Sequence, residues 1–204
     1  MGAPQLQLVK PEEFFREKVS KAIVNQKVQI GDDLEFYLVN LLCEFIVPGK
    51  LETLAGEMSA LETPLAIMLK EAMEAPPATR LKIFKYLGDT SLYFAGFFQD
   101  YFNRKTYDIS YYIALGSSAY NNVSVLMRDH HGDDQFTVMY NGLADRFRDL
   151  VEVVAEVSET PGDTRPIDIL AIYDRWNRNN SDRLRRMLNQ VGITPVSVPF
   201  REKQ

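Results

Sequence analysis

The chain has 204 residues and a mass of 23.4 kDa; 46% of its residues are hydrophobic and 25% charged, the make-up of an ordinary globular protein. A chain of that size buries enough surface to need neither disulfides nor a structural metal. The net charge of −5 is uneven: residues before Arg165 carry −9 and those from Arg165 onward +4, so the body is a poor nucleic-acid surface. One cysteine, Cys43, excludes an internal bridge. Its apolar setting in "YLVNLLCEFIV" fits a buried, reduced thiol better than a nucleophile. The opening residues lack a signal-peptide pattern, and Leu6 stands where a myristoylation pattern needs Ser or Thr. The longest uncharged run, Ile109 to Met127, holds four Ser and two Asn and is too polar to span a bilayer. A cytoplasmic protein without a transmembrane segment is expected.

Nearly every stretch reads as helix. Pro11 opens the first, with Glu12 and Glu13 placed well for the helix dipole. "GDD" at 31–33 starts a second, with Leu34, Tyr37, Leu38, Leu41, Leu42 and Phe45 repeating at three and four, and "VPGK" ends it. Thr63 caps a third, with Pro64 as its first helical residue and Pro76–Pro77 as its stop. The next begins near Ala78 and is expected to end at Gly88 as a C-cap. Asp89 or Thr90 then restarts the chain as an aromatic helix to about Arg104. Asp108 caps a long helix to about His130, closed by Gly132. Asp133 or Asp134 caps another, expected to run unbroken to about Glu159. A last pair spans roughly 167–178 and 182–191, and "ITPVSVPF" is extended. Strand alternation is credible only in "QLQLVK" and the tail. The fold class is all-α, an irregular bundle of about eight helices, read as a single domain over 1–204 with extended segments at 1–10 and 193–204.

Between residues 93 and 112, nine of twenty positions are Phe or Tyr. On a helix, Tyr93, Phe97 and Tyr101 form one row and Phe94, Phe98 and Phe102 another, opposite Gly96, Gln99, Asp100 and Asn103. The uncharged helix 109–127 that follows has a bulky face of Ile109, Tyr112, Ile113, Tyr120, Val123 and Met127. Ser110, Ala114, Ser117 and Asn121 line a small, polar stripe. Such a helix reads as central, and its buried hydroxyls need partners. Gly116 to Ala119 would admit a close neighbour or leave room for a guest. An aromatic core accounts for these features. So does a lined pocket, and so does a homodimer through the uncharged stripe.

The pieces "FFREKVSKAIVNQ" with "EFYLVNLLCEF", and "LGDTSLYFAGFF" with "DISYYIALGSSAY", resemble an uncharacterised all-helical family of bacterial hypothetical proteins. The resemblance covers roughly the first 125 residues and implies no activity.

Catalytic signatures are sparse. "RDHHGDD" at 128–134 gathers both histidines with three aspartates, the place to look for a metal; a helix end followed by Gly and an Asp cap explains it as well. No Glu-x-x-His pair, G-x-S-x-G or Gly-rich phosphate loop is present. The "GDD" runs, which invite a prenyl-diphosphate reading, lie at helix starts. "DRWNRNNSDRLRRMLNQVG" carries Arg175, Arg178, Arg183, Arg185 and Arg186, with the last helix expected to bury Leu184, Met187, Leu188 and Val191 and leave Arg183, Arg185 and Arg186 outside. Its two helices suggest a helix-turn-helix, but solvated arginines paired with Asp174 and Asp182 account for the cluster, and among functional partners the acidic body argues for a phosphate or carboxylate over nucleic acid.

The leading expectation is therefore a non-enzymatic ligand-binding or sensory protein for an apolar or acyl-type small molecule, with no cofactor or metal. Tyr93, Phe97, Tyr101, Tyr112, Ser117, Tyr120 and Asn121 would line the site, and Arg183 and Arg186 would meet a charged head. A homodimeric interaction module using helix 109–127 is the second reading. A metal-dependent enzyme near Asp129, His130 and Asp133, within Asp129 to Asp134, is the third.

Overall fold

The computed structural model describes residues 10–45, 62–98, 109–131, 134–158, 169, 172–173, 176–177 and 181–196. Among the described residues there are eight helices and no strand, an all-α bundle. The chain falls into two compact units, Met1–Ser158 and Glu159–Gln204.

In the first unit, α1 (Pro11–Gln26) begins on Pro11 and ends where Lys27 takes a left-handed φ of 57°, its N–H bonding back to Ile23 and Val24. Then come α2 (Asp32–Phe45), α3 (Glu62–Glu74), α4 (Pro77–Phe97), α5 (Ile109–His131), α6 (Gln135–Asp145) and α7 (Phe147–Ser158). Side chains tie these together at their edges. Asn25 and Gln26 each donate to one carboxylate oxygen of Glu156, both at 2.6 Å, and Ser20 donates to Glu35. Asp134 caps α6 by accepting from the Thr137 N–H at 2.8 Å.

Four boundaries differ from expectation. The aromatic helix, expected to run to about Arg104, ends at Phe97 with Phe98 as its C-cap. Thr63 falls inside α3, which starts at Glu62. The expected single helix to 159 is two, with Arg146 as the break between α6 and α7. Most consequentially, Gly88 does not end a helix and Asp89 does not start one: α4 is 21 residues long and runs through both. The local code there, glycine followed by Asp, Thr and Ser, is that of a C-cap and an N-cap. Tertiary packing overrides it, because every residue from Leu87 to Gly96 is buried.

α4 packs against α5, α7, α3 and α2, and its second half is the helical segment buried all round. Its glycines explain how closely the others approach. A Cβ on Gly88 would meet the Tyr120 ring of α5 at 2.5 Å, and one on Gly96 would meet Val154 of α7 at 2.5 Å. From the α5 side, a Cβ on Gly116 would strike Phe147 at 2.1 Å and Ser91 at 2.8 Å. Gly96, expected on the polar side, is an inward contact point, and Gly116 admits a neighbouring side chain rather than a guest.

α5 meets α4, α6 and α7 yet keeps one side outside. Tyr112, Leu115, Gly116, Ala119, Tyr120, Val123 and Ser124 are buried, whereas Ser110, Tyr111, Ala114, Ser118, Asn121, Val125, Arg128 and Asp129 are exposed. At 100° per residue the exposed set occupies an arc of about 100°.

In the second unit, α8 (Asp182–Gln190) is capped by Ser181, and Leu184 and Leu188 cluster with Trp176. Tyr173 pins the chain after α8 by donating to the Val196 carbonyl at 2.9 Å, and residues 193–196 have no regular structure.

The close approach of Tyr120 to Gly88 yields a stability test. Alanine normally improves a helix interior by about 1 kcal/mol over glycine. Gly88→Ala is expected instead to lose about 1–3 kcal/mol, measured by urea unfolding, because the ring has nowhere to go.

Candidate functional site

At the middle of α4, Asp89 buries its carboxylate inside the bundle. A charge there needs both a counter-charge and hydrogen bonds. Tyr37 of α2 and Tyr120 of α5 donate their hydroxyls to Oδ1, at 2.6 and 2.8 Å. One turn earlier on α4, Lys85 reaches Oδ2 with its ammonium at 2.6 Å. Tyr140 of α6 completes the group: the three tyrosine rings lie 5.8–6.0 Å apart, centre to centre. The Lys85 ammonium also stands 5.5 Å over the Tyr37 ring.

The electrostatics follow from burial. Loss of hydration, joined by the Asp89 charge, pushes the Tyr37 and Tyr120 phenols far above the ordinary 10.0, so both stay neutral donors. Burial also raises Tyr140. Burial works to lower Lys85, but the Asp89 charge and hydrogen bond, with Tyr140 and Glu44, outweigh it and hold the ammonium protonated. Beside this cluster the Thr90 and Ser91 hydroxyls are fully buried with no hydrogen-bond partner among the described residues.

The site residues expected from sequence do not converge. Tyr93 is buried in a different aromatic group, stacked on Phe45 at 4.3 Å and on half-buried Phe97 at 4.9 Å, with Phe94 and Phe98 edge-on. Burial pushes its phenol up to about 12. Among the described residues, no ring contact joins this group to the one around Tyr120, which includes Phe147. Tyr112 is buried elsewhere, edge-on to Tyr111. Ser117 ties α5 to α6 by donating to the Ala144 carbonyl at 2.9 Å, and Asn121 is exposed. Tyr101 lies outside the described residues.

In the second unit, Arg183 corrects its expected exposure: it is only 3% exposed and points a guanidinium N–H at the Met187 sulfur, 3.8 Å away. Its position one turn before Met187 puts its stem on the apolar face. Arg186 is half-buried, and exposed Arg185 pairs with Asp182 at 2.5 Å. Arg175 and Arg178 are outside the described residues, as are the side chains of His130 and His131, and Gly132 and Asp133. Asp129 is exposed, and no group of three or more His, Cys, Asp or Glu able to hold a metal occurs among the described residues. The half-buried Cys43 has its thiol pushed up by burial, which suits an inert group.

Sequence reasoning missed Asp89, Lys85 and Tyr140 as a group. The available signal was "KYLGD", which on a continuous helix puts Lys85 and Asp89 on one face.

No family model, curated protein or solved structure matches this chain. Among the described residues no helix is long and apolar enough to cross a membrane.

Removing Asp89 strands two buried phenols and an ammonium. Asp89→Ala is expected to cost about 3–5 kcal/mol and Tyr120→Phe about 1.5–3. Lys85→Met should cost less than Asp89→Ala, since solvent screens that ammonium. Chemical denaturation of the three variants checks the order.

The raised phenols set an alkaline limit. Their folded values lie above the unfolded one, so their contribution is complete below pH 10.0 and is lost as pH climbs toward the folded values. Of ten tyrosines, Tyr37, Tyr93, Tyr120 and Tyr140 should ionise at higher pH than the tyrosines of the unfolded chain. Tyrosinate absorbance in native and denatured protein measures this, and coincident curves would refute it.

Proposed function

We propose that the chain is a non-catalytic helical interaction module that pairs with a second copy through the outer face of α5. The observation that carries this reading is the exposed stripe Ser110, Tyr111, Ala114, Ser118, Asn121 and Val125, which has no charge over four turns until Arg128 and Asp129 close it at the C-terminal end of α5. Solvent-facing helix surfaces ordinarily carry charged residues. Depletion of charge, with an aromatic residue present, marks the core of protein interfaces.

A second copy is the occupant that fits. The first 158 residues carry 22 acidic and 15 basic groups, so most approaches between two copies oppose like charges. A two-fold contact sets a face against itself, and the α5 face can do this without a carboxylate meeting a carboxylate. Ala114 and Ser118 are small enough for close helix approach. A strongly charged partner would instead leave its own groups desolvated and unpaired.

A pocket for an apolar or acyl molecule draws less support, because the rings expected to wall it stack on one another. A reducing, cytoplasmic setting suits the free thiol of Cys43.

Sedimentation equilibrium with the wild type, Ala114→Glu and Ser118→Arg tests the proposal. Both positions are exposed, so folding should survive. A wild-type dimer, weakened more than about tenfold by either charge at unchanged melting temperature, is expected. A wild type that stays monomeric at high micromolar concentration would end it.

A further inference from the structure

We infer that the Asp89 corner is a binding site for a primary ammonium group, held by Lys85 in this structure and open to a small alkylamine from solution. The inference is independent of pairing through α5 and rests on how the two carboxylate oxygens are used.

Oδ1 takes both phenol hydroxyls, delivered from α2 and α5. Those bonds fix the carboxylate plane without offsetting its charge, because the phenols are neutral donors. The counter-charge on Oδ2 comes from Lys85, on a four-carbon flexible stem from the same helix. A rigid, pre-oriented anion is therefore matched to a mobile cation.

The position of that cation matters as much as its identity. The Lys85 side chain is 40% exposed and the Asp89 side chain 10%, so the ammonium is the outer partner and the carboxylate the inner one. Lys85 can swing outward without any helix moving. What it would leave behind is an oriented carboxylate edge, with the Tyr37 ring face beside it where the ammonium stood at 5.5 Å. Tyr140 and Glu44 also favour positive charge at that point. Charge, ring face and an opening to solvent are what an ammonium-recognising site requires.

The chemistry selects among cations. A contact of 2.6 Å to Oδ2 needs an N–H donor, which a primary ammonium has and a quaternary one lacks. A hard divalent ion would need several more oxygen ligands, and no such group of carboxylates stands here among the described residues. The tethered Lys85 competes with any ligand at a high effective concentration, so the wild type binds more weakly than a chain lacking that ammonium.

The test uses n-butylammonium chloride, which copies the lysine stem and head. Lys85→Ala should melt below the wild type and recover more stability in n-butylammonium chloride than in equal sodium chloride or tetramethylammonium chloride. Lys85→Ala/Asp89→Asn, which removes both charges, should show no such preference. In the wild type, the Tyr37 ring resonances should shift saturably on titration with n-butylammonium. Should Lys85→Ala not fold alone, its refolding yield in the three salts gives the same comparison. A single variant that does not distinguish n-butylammonium from sodium would overturn the site. A recovered variant beside an unresponsive wild type would overturn its openness to solution ligands, leaving Asp89 a partner for Lys85 alone.

Discussion

A carboxylate inside a packed helix has to be compensated where it sits, and Asp89 is compensated by groups that arrive from three helices. Tyr37 can reach Oδ1 only if α2 lies at one height along α4, and Tyr120 only if α5 does too. The requirement therefore fixes register, which hydrophobic contact alone leaves loose. Gly88 belongs to the same constraint: the Tyr120 ring crosses α4 at the residue beside Asp89, where any side chain would block its hydroxyl from the carboxylate. Gly96 and Gly116 repeat the device along the seams with α7 and with Phe147. An apolar residue at position 89 could pack as tightly. It would not specify which turn of α5 lies against which turn of α4.

How much of this could be read from sequence depended on whether the signal was local. Helix starts were legible where one residue does one job, as with Pro11 or Asp134. "LGDTS" misleads because its residues have two physical uses. Gly suits a left-handed cap and also a close helix crossing, while Asp, Thr and Ser suit an N-cap and also a buried polar network. Only the partners decide, and Tyr120 lies 31 residues on from Asp89. The break at Arg146 had no glycine or proline to announce it. Arg183 was misplaced because charge was taken as exposure, although its stem packs one turn from Met187.

The aromatic side chains of the first unit also fall into groups separated in space. Tyr93 and its neighbours fill the α2–α4 contact through Phe45, whereas Tyr120 joins Tyr37, Tyr140 and Phe147 around the carboxylate. One group is packing alone. The other combines packing with hydrogen bonding, since two of its phenols do electrostatic work at Asp89. Sequence clustering of rings along a helix says little about which rings share a neighbourhood once helices cross.

The outer face of α5 has to be understood separately from that interior. Its inner polar groups are satisfied locally: Ser117 donates to Ala144, and Ser124 has the Thr137 carbonyl and the Asn141 side chain within reach. Burial therefore explains why the inner half of the helix is uncharged. It places no such demand on Ser110, Ala114, Ser118, Asn121 and Val125, which face solvent and could be Lys or Glu without disturbing Asp89 or the glycine seams. Charge at those positions would improve solubility at no cost to the fold. The proposed pairing of two copies through this face would give a physical reason for its absence between Ser110 and Val125.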